Sequence, residues 1–153
     1  MFFFKTSNYD QSNKITSVKF SVSAEAILLT QKILASSEAT HRQIFGEKLL
    51  DELSDSAKID VIELKIIDDN QYHKKANGRV VMKRYGSYRP ASKLISISNR
   101  TAVRGQTLAA KSFLDTLLHE WLHHYDTYKL KLRSIHSKGF YLRLNDLKEK
   151  LKV

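Results

Sequence analysis

Between residues 108 and 130 the apolar positions Leu114, Leu117, Leu118, Trp121, Leu122 and Tyr125 recur at helical spacing, the pattern of a helix that buries one face. Along the border of that stripe the chain reads His119-Glu120-Trp121-Leu122-His123. Residues four apart on an α-helix lie about 40° apart around the axis. Two imidazoles therefore emerge side by side from a helix whose other face is fixed in a core, and both can reach one ion at the distance of about 2.0–2.1 Å typical of a zinc–nitrogen bond. Glu120 sits one position along, beside the ion rather than on it, where a general base for a water on the metal belongs. A lone histidine pair at this spacing is better explained as the polar edge of an amphipathic helix. The glutamate at the second position and a third histidine downstream reverse that preference.

The third histidine is His136. A catalytic zinc site takes three protein ligands and leaves a position for water, and the twelve residues between His123 and His136 suffice to finish the helix, turn and come back. The plainer reading of His136 is a solvated loop residue. Asp126 shares the face of His119 and His123, where it can accept the second N–H of a ligand imidazole and fix its tautomer; a surface carboxylate fits that position equally well. His124 points about 100° away from His123 and reads as packed or solvated, while His41 and His73 read as surface positions. Trp121 and Leu122 read as core.

A length of 153 residues is that of one domain, and 42% hydrophobic residues suffice for a core. With no Cys in the chain, disulfides and every thiolate zinc site are excluded, so any metal must be held by His, Asp or Glu. The start, Met1-Phe2-Phe3-Phe4-Lys5, turns polar too soon for a secretory signal, and no stretch approaches the roughly 18 apolar residues of a membrane span. The expectation is a soluble, cytoplasmic protein without a membrane segment.

Helical periodicity also begins at Ala24 and runs to about residue 53, with Ser36-Ser37 as a breaker; one kinked helix or two shorter ones fit. The β-branched run 59–67 reads as a strand. Asn77-Gly78 leads into a second over 79–83, and residues 94–98 alternate as a third. Residues 86–90 read as a loop, 16–22 as a weak strand, and Ser137 or Gly139 opens a last helix through Leu142, Leu144, Leu147 and Leu151. The order predicts a single α+β domain with a small, largely antiparallel three-stranded sheet packed on helices that include the motif helix.

Charge is distributed unevenly. Between Asp69 and Asp115 there is no acidic residue, while the interval holds Lys74, Lys75, Arg79, Lys83, Arg84, Arg89, Lys93, Arg100, Arg104 and Lys111. Removing these ten from 26 basic residues leaves 16 against 16 acidic ones, so the whole net charge of +10 resides in one segment. Nucleic acid is the first anionic partner to consider. The first seven of these cations are the candidate contacts, with Tyr72, Tyr85 and Tyr88 between them to stack on bases. A solvated basic face is the plainer alternative. Phosphate contacts would make DNA affinity fall steeply with salt.

The run HEWLHHYD, followed by IHSKGF, resembles the SprT-like zinc metalloproteases, which carry His-Glu-x-x-His on a helix and a third histidine in a later His-Gly-x-x-Phe/Trp segment. The resemblance covers residues 113–141. It implies a zincin-like fold, one zinc ion held by His119, His123 and His136, and Glu120 as catalytic base, with Phe140 matching the aromatic residue of the later segment. Ser137 stands where that family has glycine, with Gly139 two residues on, and the segment is also similar to the related WLM and YgjP-type proteins, where Ser can follow the third histidine. Strand 94–98 fits the edge strand that lies over the metal in such folds, and by β-augmentation it would present a substrate carbonyl there. Tyr125, Tyr128 and Tyr141 are candidate oxyanion donors.

These readings together describe a zinc-dependent metallopeptidase acting on a protein or peptide. Several SprT-like enzymes cleave proteins bound or crosslinked to DNA, which adds DNA-associated substrates to the expectation. Two other classes stay open. A nucleic-acid-binding module without catalysis would bind DNA and no metal, and a zinc hydrolase acting on a soluble substrate would bind zinc without salt-dependent DNA affinity.

Overall fold

The computed structural model describes residues 7–68, 73–76, 79–83, 85–101 and 105–153, and for 73–76 and 79–83 the backbone path. Helices α1 (Asn8–Lys14), α2 (Ala24–Leu34) and α3 (Ala39–Ala57) come first. Strands β1 (Glu63–Ile67), β2 (His73–Ala76), β3 (Arg79–Lys83), β4 (Gly86–Arg89) and β5 (Leu94–Ser98) follow, then helices α4 (Ala110–Tyr128) and α5 (Lys138–Lys150). The class is α+β, as expected.

The core is built around α4. Leu117, Leu118, Trp121, Leu122 and Tyr125 are fully buried; removing side chains of this size from water contributes about 1.5–3 kcal/mol each. They meet Leu49, Leu50 and Leu53 of α3, Ile95 and Ile97 of β5, and Phe140 and Leu147 of α5 in one cluster. The Trp121 indole donates to Ser54 Oγ at 3.1 Å, so the largest buried side chain leaves no polar atom unsatisfied.

The helices begin where serine caps them. Oγ of Ser7, Ser23 and Ser137 accepts from the backbone N–H three residues on, satisfying a donor the helix leaves open. Ser36 resolves the open choice over residues 24–53 in favour of two helices: its hydroxyl donates to the Ile33 carbonyl at 2.6 Å, and α2 stops just before it.

Three sequence expectations are corrected. The sheet is mixed, in the order β1-β5-β4, with β1 parallel to β5 and β4 antiparallel to it; β2 and β3 form a separate antiparallel pair. Pairing β1 with β5 places the intervening chain in the crossover, which a periodicity reading cannot see. Residues 86–89 are strand rather than loop: Gly86 opens an edge strand and Pro90 follows its end. Residues 16–22 form no strand. Their backbone groups bond to side chains instead, Val18 N to Asp146 Oδ2 at 2.9 Å and Lys19 N to the Tyr125 hydroxyl at 3.0 Å, while Phe20 packs on Trp121 and Tyr125.

Gly86 and Gly139 mark close approaches between elements. A Cβ on Gly86 would lie 2.7 Å from Thr116 Cγ2, so glycine is what lets β4 lie against α4. A Cβ on Gly139 would run into the Ser12 carbonyl, so α1 can dock on α5 only at glycine.

Candidate metal centre

The polar face of α4 floors a cleft of about 1130 Å³, exposing Asp115, Thr116, His119, Glu120, His123 and Thr127. β4 forms one wall and runs beside α4 in the same sense. Gly86 lies at Thr116 and Glu120, Tyr88 bonds to His124, and the Pro90 carbonyl accepts from the Tyr128 hydroxyl. The opposite wall is the segment returning from the end of α4, through Lys131–Ser134 to His136.

That return brings the three histidines together. Nε2 of His136 lies 3.0 Å from Nε2 of His119 and 3.0 Å from Nε2 of His123, and the last two are 3.3 Å apart. Three nitrogens at about 2.0–2.1 Å from a tetrahedral centre would be about 3.3–3.4 Å apart, so the observed triangle is close to three corners of such a site. These three form a group of residues that could hold a metal ion. With Nε2 of each imidazole unprotonated, three lone pairs converge on one point, an arrangement that a cation relieves. Phe140 lies fully buried beneath them, stacked on His123 at 4.7 Å and edge-on to His119 at 5.0 Å.

The environment keeps His119 and His123 neutral, the form that ligates. Burial, then the neighbouring His136 and Lys148, hold His119 down to about 4. Burial, with His119 and His136, holds His123 down to about 3. Glu120 lines the cleft one residue after His119, partly exposed.

Asp126 stands in a different place from the one expected. It is fully buried and has no direct hydrogen bond to the three histidines: Arg143, also fully buried, occupies it through Nε to Oδ1 at 3.1 Å and Nη2 to Oδ2 at 2.8 Å. Its reach to the histidine cluster passes through Ser134, whose Oγ donates to Asp126 Oδ2 at 2.9 Å and lies 2.7 Å from His123 Nδ1. Burial raises the Asp126 pKa, an effect that the Arg143 fork and the Ser134 hydroxyl oppose. With the serine proton committed to the carboxylate, His123 must donate from Nδ1–H, which leaves Nε2 bare and facing its two partners. Ser134 and Arg143 escaped the sequence reading. The available signal was that Arg143 and Asp126, of opposite charge, each occupy a position on the buried face of an apolar helix.

Ser134→Ala is expected to keep the fold and to weaken metal affinity by about 10–100-fold, the range found for such supporting partners, and Ser134→Thr to restore it. Competition against a chromophoric chelator reads both, and unchanged affinity in the alanine variant would contradict the tautomer argument.

The remaining candidates divide. His124 is the packed residue of its two readings: Nε2–H donates to the Asp60 carbonyl at 2.7 Å, so Nδ1 accepts from the Tyr88 hydroxyl at 2.8 Å. His41 is exposed, 3.9 Å from Glu38. Tyr125 leaves the oxyanion set, since its hydroxyl is buried against Lys19 N, and Tyr128 is engaged with Pro90. Tyr141 is exposed with its ring 6.0 Å from that of His136. Strand β5, expected at the edge, is central; β4 is the strand that faces the cleft.

Of the basic segment, Lys74 and Lys75 fall in β2 and Arg79 and Lys83 in β3, with their side chains outside the described residues, as is Arg84. Arg89 is exposed at the end of β4. Lys93 is occupied by Asp60 at 2.7 Å and lies over the Tyr128 ring, and Arg100 pairs with Asp68. Tyr85 and Tyr88 line the cleft and Tyr72 lies outside the described residues. Among the described residues, no helix is long and apolar enough to cross a membrane.

Comparison with protein-family models, with curated proteins and with solved structures returns no match for this chain.

Proposed function

We propose that the chain is a zinc-dependent metallopeptidase of the SprT-like, zincin type. The observation that carries this is the triangle of Nε2 atoms from His119, His123 and His136, 3.0–3.3 Å on a side, in an open cleft that Glu120 also lines. Bound there, Zn2+ supplies a Lewis acid that polarises a carbonyl and acidifies water.

The protein's own groups do the rest. The three histidines hold the ion through Nε2, with His123 oriented by Ser134. The Glu120 carboxylate takes a proton from the attacking water and passes it to the departing amine. An extended peptide adds to β4, the edge strand along the cleft, and so lies across the histidine cluster.

Three features favour peptide over a small substrate: an edge strand beside the metal, a cleft of about 1130 Å³ and its openness along the whole exposed face of α4. Association with DNA rests on the acid-free segment 70–114, of which Arg89 is an exposed cation close to the cleft. The test is hydrolysis of an unfolded protein by the zinc-loaded chain beside Glu120→Gln. Cleavage by the wild type alone supports the reading, and equal cleavage by both removes it.

A further inference from the structure

The cleft is electrically lopsided along α4. Near the helix N-terminus Asp115 lies in the floor, and Lys148 takes its charge at 2.9 Å. Toward the C-terminus the wall contains Lys131 and Arg133. The run Lys129-Leu130-Lys131-Leu132-Arg133 alternates: Leu132 is buried and Leu130 packs against the core, while the three cations are exposed. No acidic residue occurs between Asp126 and Asp146. The carboxylate that acts on Lys131 is Asp60, already paired with Lys93 at 2.7 Å. Among the described residues, no ion pair involves Arg133.

The backbone that carries these cations is fixed. Arg133 N donates to Asn8 Oδ1 at 2.9 Å, the Arg133 carbonyl accepts from Asn8 Nδ2 at 2.7 Å, and Leu132 N bonds to the Asp126 carbonyl at 3.0 Å. Tying this wall to α1 before a ligand arrives lowers the ordering cost of binding. The wall therefore presents Arg133, which has no described ion pair, and Lys131, which only shares Asp60 with Lys93, both on the segment that leads to His136.

We propose that Lys131 and Arg133 form a cationic subsite that takes an acidic side chain of the substrate peptide, on the side of the scissile bond facing the C-terminus of α4. This rests on the peptidase reading and names its substrate class. Leu132, between the two cations, bonds to the Asp126 carbonyl, about 7–8 Å along the helix from the midpoint of His119 and His123, or about two residues of extended peptide. The acidic residue therefore lies within about three residues of the scissile bond. The placement of the cations inside the cleft, beside the histidines, favours a peptide side chain over a nucleic-acid phosphate.

The test uses zinc-loaded Glu120→Gln protein and labelled neutral peptides in which a single Glu is moved along the sequence. One position is expected to tighten binding by about five- to tenfold, the sum of two exposed ion pairs, and the gain should shrink at high salt. In Lys131→Glu/Arg133→Glu the same position should prefer Lys. The milder Arg133→Gln, which should lose part of the gain, covers misfolding of the reversal. A panel without positional preference, or a reversal that weakens only a single-stranded oligonucleotide, would overturn the subsite. Because binding is read without turnover, a wild type that ranks the peptides as expected and cleaves none would remove the peptidase reading alone.

Discussion

Glu120→Gln is expected to hold zinc as the wild type does and to lose about 10²- to 10⁴-fold in kcat, the usual worth of a positioned general base. The argument is geometric. Glu120 follows His119 on α4, so it enters the same cleft about 100° around the helix, lining it with the three histidines without joining their cluster. Glutamine keeps the size and hydrogen-bonding reach of the side chain but cannot accept a proton. Zinc stoichiometry and hydrolysis measured on the same preparations separate the two roles: loss of zinc would make Glu120 a ligand, and retained hydrolysis would make it neither.

Arg143→Met is expected to destabilise the metal-free protein by about 3–5 kcal/mol, the cost of stranding one member of a buried ion pair. For a chain of this length that corresponds to about 6–20 °C in Tm. Arg143 and Asp126 are both fully buried, and Arg143 also donates to the carbonyls of Ser12 and Ile15, so its loss frees the end of α1 as well. The same change loosens the chain from Asp126 through Ser134 to His123, so zinc affinity should fall with stability. Adding Asp126→Leu removes the stranded charge and should recover much of the stability, yet not the zinc affinity, because Ser134 no longer has its acceptor. Thermal unfolding and chelator competition across the two variants read the effects apart, and recovery of both together would mean that the ion pair supports the fold alone.

The legible parts of this chain were those in which one periodic element carries its own information. Leu114 to Tyr125 declared α4 and its buried face, and His119, Glu120 and His123 stood on that helix at a spacing only a helix explains. His136 was named by the ligand count and its spacing, but its place beside the pair needed the structure, since a loop residue's position depends on how the chain returns. The sheet was misread for the same reason. Whether β5 is central or at the edge is decided by its pairing with β1 across a long interval, and alternation in Leu94–Ser98 is the same in both cases. Helix α1 was missed although Ser7 and Asp10 form a capping pattern, because it is short and has no apolar stripe of its own. It is held by Asn8, Ser12 and Asn13 bonding to the segment around His136, contacts some 125 residues apart in the chain.

The most direct measurement is the zinc content of the protein without an affinity tag, wild type beside His136→Ala, after exposure to zinc and removal of excess. The account predicts about one ion per chain in the wild type and a marked loss in the variant, with the fold retained by circular dichroism. A wild type that binds no zinc, or a variant that binds it as tightly, would contradict the three-histidine centre on which the proposed activity stands.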